Sequence, residues 1–188
     1  MRPLALGLVH FPIVGRDGQL ITTTITNLDL HDMARSARTY GVEAFYVVHP
    51  VEAQRTLAGR IKAHWTAGGS GARRMPDRPA ALDLIEVVNT LDDALGALTA
   101  RHPDHGPAEM WTTAAQARDV VVPYSEARQR LQGDGPPVLL VFGTGWGLAP
   151  AVLDRATARI EPIAGRGDWN HLSVRAACAI SLDRLLGS

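Results

Sequence analysis

The sequence predicts an α/β domain built on a parallel sheet, and three observations carry that expectation. Short apolar runs rich in β-formers (Leu4 to His10, Val42 to His49, Leu82 to Val88, Glu109 to Thr113, Pro137 to Phe142) are separated by stretches with helical spacing of apolar residues. The 188 residues suit one domain, able to bury roughly two thirds of its unfolded surface. No internal repeat and no linker divides them.

Taken in order, Leu4 to His10 reads as a first strand, apolar on both faces and ending at Phe11-Pro12. Gln19 to Thr26, rich in threonine and isoleucine, reads as extended chain or turn. Asp29 is then the candidate N-cap of a helix from Leu30 to Tyr40, with Leu30, Met33, Ala34, Ala37 and Tyr40 at helical spacing and Gly41 as its stop. Val42 to His49 follows as a strand and Val51 to Trp65 as a helix. Gly68 to Pro76, rich in glycine and arginine, reads as a flexible surface loop.

Leu82 to Val88 is the next strand and Leu91 to Arg101 the next helix. The turn-rich loop His102 to Pro107 holds two histidines without further spaced ligands, which reads as surface chemistry rather than a metal site. A strand from Glu109 to Thr113 leads through Thr112-Thr113-Ala114-Ala115 toward a helix from Tyr124 to Leu131. Pro137 to Phe142 is a buried strand that delivers Gly143-Thr144-Gly145-Trp146-Gly147-Leu148, with a helix starting near Ala149-Pro150. Ala158 to Ile163 is a short strand, Ala164 to Asn170 a second glycine-rich loop, and His171 to Leu186 the closing helix.

Composition narrows the function classes. Nineteen basic and nineteen acidic residues balance, so there is no global nucleic-acid signature, although Arg55 to Arg78 holds six basic residues against one acid. A phosphate-backbone contact and a solvated face are both open for that segment. Cys178 is the only cysteine, so neither an intramolecular disulfide nor a cysteine-based zinc site is available, and its place in an apolar-periodic segment marks a buried structural thiol. The run Leu4 to Val14 is interrupted by His10 and Pro12 and lacks a small-x-small cleavage pattern, so a cytoplasmic protein is the expectation.

Three strand ends share one design. Thr112 to Ala115, Gly143 to Leu148 and Ile163 to Asn170 all follow short strands, and glycine lets backbone approach a ligand without an intervening side chain. In open α/β sheets ligands sit at the carboxyl ends of strands. Convergence of the three loops would make a pocket walled by backbone, suited to a nucleoside-like cofactor. A dinucleotide is one alternative: Gly143-x-Gly145-x-Gly147 approaches a Rossmann fingerprint and Glu161 lies 18 residues beyond Gly143. Its third glycine is one residue early and only one strand-helix unit follows. A P-loop is excluded, because no Gly-Lys-Ser/Thr follows the turn.

Glu161-Pro162-Ile163-Ala164-Gly165 and Trp169-Asn170-His171-Leu172-Ser173-Val174-Arg175-Ala176-Ala177 together resemble the last motif of SPOUT-class RNA methyltransferases. Phe142 to Leu148 resembles the motif before it. Over its whole length the chain is similar to single-domain bacterial SPOUT proteins thought to methylate RNA with S-adenosylmethionine (SAM). The resemblance implies a parallel-sheet, Rossmann-like domain whose C-terminal segment forms a deep trefoil knot, a rare arrangement that spacing alone never reveals. It also implies a homodimer through the closing helix and knot region. SAM would be held by Thr112, Thr113, Ala114, Phe142, Gly143, Thr144, Gly145, Gly147, Leu148, Ile163, Gly165, Asn170, His171, Leu172 and Ser173.

In the ribose-methylating branch of the class, an asparagine six residues before an arginine belongs to the catalytic site. Arg35 occupies the arginine's place here, but Asp29 stands six residues earlier, followed by His31-Asp32 instead of glycine-alanine. This departure counts against ribose 2′-hydroxyl methylation and leaves a base as the alternative acceptor. The resemblance therefore makes Arg35, Asp29 and Asp32 the candidate catalytic residues, an aspartate serving as base where the acceptor carries a proton. Arg38, Arg60, Arg73, Arg74 and Arg175 are the candidate RNA contacts. Asn170 and Ser173 are candidate caps of the last helix. The rival readings are a SPOUT-like dimer that binds RNA or cofactor without catalysis, and an NAD(P)-binding oxidoreductase.

Overall fold

The computed structural model describes residues 1–66, 71, 72, 75, 77–116, 120–167 and 169–187. Six strands form one parallel sheet: β1 (Leu4–Val9), β4 (Ala44–Val48), β5 (Ile85–Val88), β6 (Glu109–Thr112), β7 (Val138–Gly143) and β8 (Ala158–Arg159). Their spatial order is β5-β4-β1-β7-β6-β8. The chain thus builds outward from β1 on one side, jumps to β6, and returns to lay β7 in the gap between β1 and β6. Every residue of β1 and β4 is buried, which is why these strands read as continuous apolar runs rather than alternating ones.

Helices cover both faces. Leu6, Leu8, Phe45, Trp111, Leu140 and Phe142 meet helices α1 (Asn27–Thr39), α2 (Glu52–Trp65), α3 (Arg78–Leu82), α5 (Tyr124–Gln132) and α7 (Val174–Leu186). Ala5, Val9, Tyr46, Val48, Leu139 and Val141 meet α4 (Leu91–Arg101) and α6 (Pro150–Leu153) on the other face. Cys178 lies wholly buried in the first layer, and burial pushes its thiol up to about 12, as fits a structural role.

Several boundaries follow directly from side-chain chemistry. Thr90 and Asp93 close a reciprocal capping box on α4, and Pro150 starts α6 at its first position. Gly41 stops α1 with a φ of 70°.

Three local expectations change. The N-cap of α1 is Thr26, not Asp29; its hydroxyl accepts the Asp29 N–H at 3.1 Å, and the helix begins three residues earlier than expected. The closing helix starts at Val174, not His171, with Ser173 accepting from the Ala176 N–H as its cap. Asn170 caps nothing. Between the first strand, expected to end at Phe11-Pro12, and the extended chain or turn expected over Gln19 to Thr26, the chain folds back through an antiparallel pair, β2 (Ile13–Val14) and β3 (Leu20–Ile21). The flexible loop expected over 68–76 lies largely outside the described residues, although Gly71 is buried there against Trp65.

The thermal melt of Thr26→Ala tests the corrected helix start. Loss of the cap should cost about 1 kcal/mol. That corresponds to a melting temperature lower by roughly 2–4 °C in a chain of this size.

Candidate functional site

Beyond the carboxyl ends of β6, β7 and β8 lies a cavity of about 690 Å³. Its location follows from the topology, because the strand order reverses around β1 and β7. The end of β7 supplies one wall. Gly143 is the last residue paired to β1, and a Cβ there would lie 2.9 Å from the Leu148 backbone nitrogen. Only glycine allows the turn to fold back so closely. Gly145 and Gly147 have φ of 55° and 107°, and the Gly147 N–H donates to Thr144 O at 2.9 Å.

The hairpin 13–21 braces this turn from outside. The Val14 N–H donates to Gly147 O, the Trp146 N–H donates to Val14 O, and Ile13 bridges to Leu148. The other two loops are tied to each other and to the sheet. The Asn170 amide donates to Ala115 O at 2.7 Å, and the Ile160 N–H donates to Thr112 O at 2.8 Å. The Glu161 carboxylate accepts the Tyr124 N–H at 2.7 Å, capping α5 from a distant segment. Glu161, which the dinucleotide alternative had singled out, is engaged in this cap.

The cavity wall contains Thr112, Thr113, Ala114, Phe142, Gly143, Thr144, Gly145, Gly147, Leu148, Ile163, Asn170, His171, Leu172 and Ser173. Gly165 is the one residue of the expected cofactor set outside that wall, lying beneath the Trp169 carbonyl. The floor extends deeper than the glycine loops suggest, to Tyr124, Ala177 and Ser181, and the Tyr124 and Ser181 hydroxyls lie 2.8 Å apart. Thr112 Oγ1 is buried with no protein partner among the described residues. A buried hydroxyl left unpaired inside a cavity is a vacant hydrogen-bonding position for a ligand.

The expected catalytic residues divide between two places. Asp29 lines the cavity, but both of its oxygens are occupied: Oδ2 accepts from the Thr26 hydroxyl at 2.6 Å and Oδ1 from Arg175 at 2.8 Å. Asp32 lies 3.4 Å from Arg175 Nε. Asp32, Arg35 and Arg175 line a second, shallower hollow of about 510 Å³ with Ser36, Thr39 and Tyr40. Ser173 lines both cavities. Arg35 is exposed, its guanidinium 4.0 Å from Asp32. Arg175 thus joins α1 to the first turn of α7, a link of 146 residues along the chain that no sequence spacing marks.

Among the expected RNA contacts, Arg38 and Arg60 are exposed on α1 and α2, far from each other in sequence; Arg73 and Arg74 lie outside the described residues. Other cations in the basic segment have structural tasks. Arg55 donates to His49 O, Pro50 O and Asn89, Lys62 donates to Asp83 O and Ile85 O, and Arg78 stacks over Trp65. His102 pairs with Glu43 at 2.9 Å rather than standing free in its loop.

Sequence reading missed His10, His49 and Thr23, which stand beside the glycine turn. His10 is wholly buried, and burial together with neighbouring His49 pushes its imidazole down to about 4 against an opposing pull from Asp29. His31 and His49 are also depressed, chiefly by burial.

A family model described as SAM-dependent RNA methyltransferase matches residues 3–187. A tRNA (guanine-N(1)-)-methyltransferase of Nitratidesulfovibrio vulgaris is 44% identical over 186 residues, and one of Oleidesulfovibrio alaskensis is 40% identical over 186. Each match covers 99% of this chain but 42% of the relative, so the chain spans less than half the length of either. The crystal structure of the A. aeolicus TrmH/SpoU tRNA modifying enzyme superposes with a TM-score of 0.56 at 16% identity, covering 99% of this chain and 75% of that one. That likeness concerns the fold. Among the described residues no helix is long and apolar enough to cross a membrane.

The buried histidines set an acid limit. In the unfolded chain each imidazole titrates near its ordinary 6.5, whereas the folded chain resists protonation, so the unfolded state binds protons first as pH falls. Stability is therefore complete above that value and declines below it. Melting temperatures measured between about pH 7 and pH 5, before most carboxylates titrate, should fall progressively.

Proposed function

This chain belongs to the SAM-dependent RNA methyltransferase family, and we propose that it binds SAM in the cavity at the ends of β6, β7 and β8 and transfers its methyl group to an RNA nucleotide, with tRNA as the substrate class. The observation that carries the cofactor assignment is the unpaired, buried Thr112 hydroxyl in a cavity of about 690 Å³ that the glycine turn 143–148 helps to wall. That volume lies within the range of small-molecule sites. Phe142, Leu148, Ile163 and Leu172 offer apolar contact, while exposed backbone at the two glycine loops offers donors and acceptors to a nucleoside and an amino-acid end.

When bound, SAM supplies an electrophilic methyl on a sulfonium. The protein's task is then to orient the acceptor in line and to exclude water. The second hollow, which meets the cofactor cavity at Ser173, is the proposed entry for the acceptor nucleotide. Exposed Arg35 holds an RNA phosphate there, and Arg175, fixed by Asp29 and Asp32, completes the positive wall. With both Asp29 oxygens engaged, Asp29 orients Arg175, and the more exposed Asp32 is the candidate base. Arg38 and Arg60 extend the RNA contact.

A base remains the favoured acceptor, given Asp29 in place of the ribose-methylating asparagine. The curated relatives' names specify guanine N1 of tRNA, but those proteins are more than twice as long as this chain. The same paired carboxylates also favour one rival, a dimer that binds RNA and cofactor without transfer. We further propose that the C-terminal segment is knotted through the loop after β6. The contacts of Ile160 and Glu161 with Thr112 and Val122, and of Asn170 with Ala115, support that path. A homodimer would bury the small, half-exposed Ala176, Ala179 and Ile180 of α7.

Incubation with methyl-labelled SAM and bulk tRNA should place label in RNA. Arg35→Ala should reduce the rate by at least tenfold with calorimetric SAM affinity unchanged; SAM binding without transfer by the native chain would select the non-catalytic reading. Light scattering should give twice the 20.2 kDa chain mass. A monomer that still binds SAM would remove the dimer from the proposal.

A further inference from the structure

The strand β1 runs into a buried histidine for which the site chemistry above has no use. His10 Nδ1 lies 2.9 Å from Thr23 Oγ1, and Thr23 Oγ1 lies 2.5 Å from Thr144 Oγ1. Thr144 belongs to the glycine turn and lines the cofactor cavity. Three side chains from separate parts of the chain therefore form a hydrogen-bonded line from the core to the site.

Thr23 is held from both sides. Its N–H donates to His10 O at 3.0 Å, and its carbonyl lies 3.0 Å from His49 Nε2. His49 Nδ1 accepts the Val51 N–H at 3.1 Å, so the His49 proton resides on Nε2 and is donated to the Thr23 carbonyl. The backbone of Thr23 leaves its hydroxyl little freedom.

The direction of the line follows from His10. Its Nε2 is buried without a partner among the described residues. An orphaned buried N–H is rarer and more costly than an unused acceptor. The proton accordingly sits on Nδ1 and is donated to Thr23 Oγ1. Thr23 then spends its own proton on Thr144 Oγ1, and the Thr144 proton is left to point onward. Among the described residues its protein acceptor is Val9 O, at a long 3.4 Å. His49 at the end of β4 and Asp29 on α1 face His10, and with the imidazole depressed to about 4 it stays neutral at neutral pH.

We propose that Thr23 and His10 are positioning residues that present the Thr144 hydroxyl to the cofactor as a hydrogen-bond donor, for an acceptor oxygen or nitrogen on its nucleoside or amino-acid part. The inference rests on the cofactor reading above. Thr23 and His10 touch no ligand in this arrangement and act through Thr144.

Calorimetric titration with SAM, alongside thermal melts, tests this on the native chain, Thr23→Val, Thr23→Ser, Thr144→Val and the Thr23→Val/Thr144→Val pair. Thr23→Val and Thr144→Val should each weaken SAM by about three- to tenfold, the value of one hydrogen bond. Thr23→Ser should bind as the native chain does. The double variant should bind no more weakly than Thr144→Val alone, because removing the end of the line removes what Thr23 contributes. Native-like binding by Thr23→Val overturns the proposal, as do losses that multiply in the double variant. Should Thr23→Val fail to fold, native-like binding by Thr144→Val overturns it equally. Absence of SAM binding by a folded native chain overturns the cofactor reading, and this assignment with it.

Discussion

The close return of the chain onto the end of β7 is the constraint on which the site depends. Between Gly143 and Leu148 the backbone leaves the sheet, turns and comes back within contact of its own starting point, where any side chain on Gly143 would meet the Leu148 nitrogen at 2.9 Å. Leu148 is buried against Val9, Val141 and Val152, so the core fixes the returning end as firmly as the sheet fixes the departing one. The peptide groups between them have no freedom to collapse into the space beyond the strand. A cavity persists there because one of its walls is backbone held between two anchored ends, not a loop that packs on itself.

The other walls inherit their positions from that one. The hairpin 13–21 exchanges backbone hydrogen bonds with the turn through Val14, and the loop after β6 is fixed to the neighbouring strand through the Thr113 N–H and hydroxyl, both donated to Val141 O. Asn170 then fastens the last loop to the loop after β6. Each tie uses a backbone partner, which makes the enclosure insensitive to the identity of many lining side chains. The enclosure therefore resides in chain path and a few glycines, and the chain path is what is shared at 16% identity with a structural relative.

That division governs what could be read from sequence. The elements were legible wherever the signal is local. Thr90, Asp93 and the spacing of Leu91, Ala94 and Leu98 define α4 to the residue, and the all-apolar run of β7 with its glycines announces both a buried strand and a turn close to ligand. Fourteen of the fifteen residues that the resemblance implied around the cofactor lie in the wall, and the three loops that hold most of them were legible because strand ends and glycine turns are local features. Two-residue strands such as β2 and β3 carry too little periodicity to be seen. The start of α1 was misplaced because Thr26 and Asp29 are both good capping types three residues apart, and only the fold shows which accepts and which donates. The links from Thr23 to Thr144 and from Asp29 to Arg175 span 121 and 146 residues, and in a single sequence nothing connects their ends.

Those two long links divide the work of the site. The His10-Thr23-Thr144 line reaches the wall of the first cavity without introducing charge, since its imidazole is kept neutral by burial. The Asp29-Arg175-Asp32 cluster concentrates charge on the other side, at the boundary of the two cavities, where α1 meets α7. Asp29 lines the first cavity with its carboxylate shared by Thr26 and Arg175, so a residue of that wall helps set where the guanidinium at the second hollow points. An asparagine at that position would keep the hydrogen bond but lose the ion pair, leaving Arg175 to Asp32 alone. The aspartate at position 29 is thus coupled, through one guanidinium, to the shape of the second hollow.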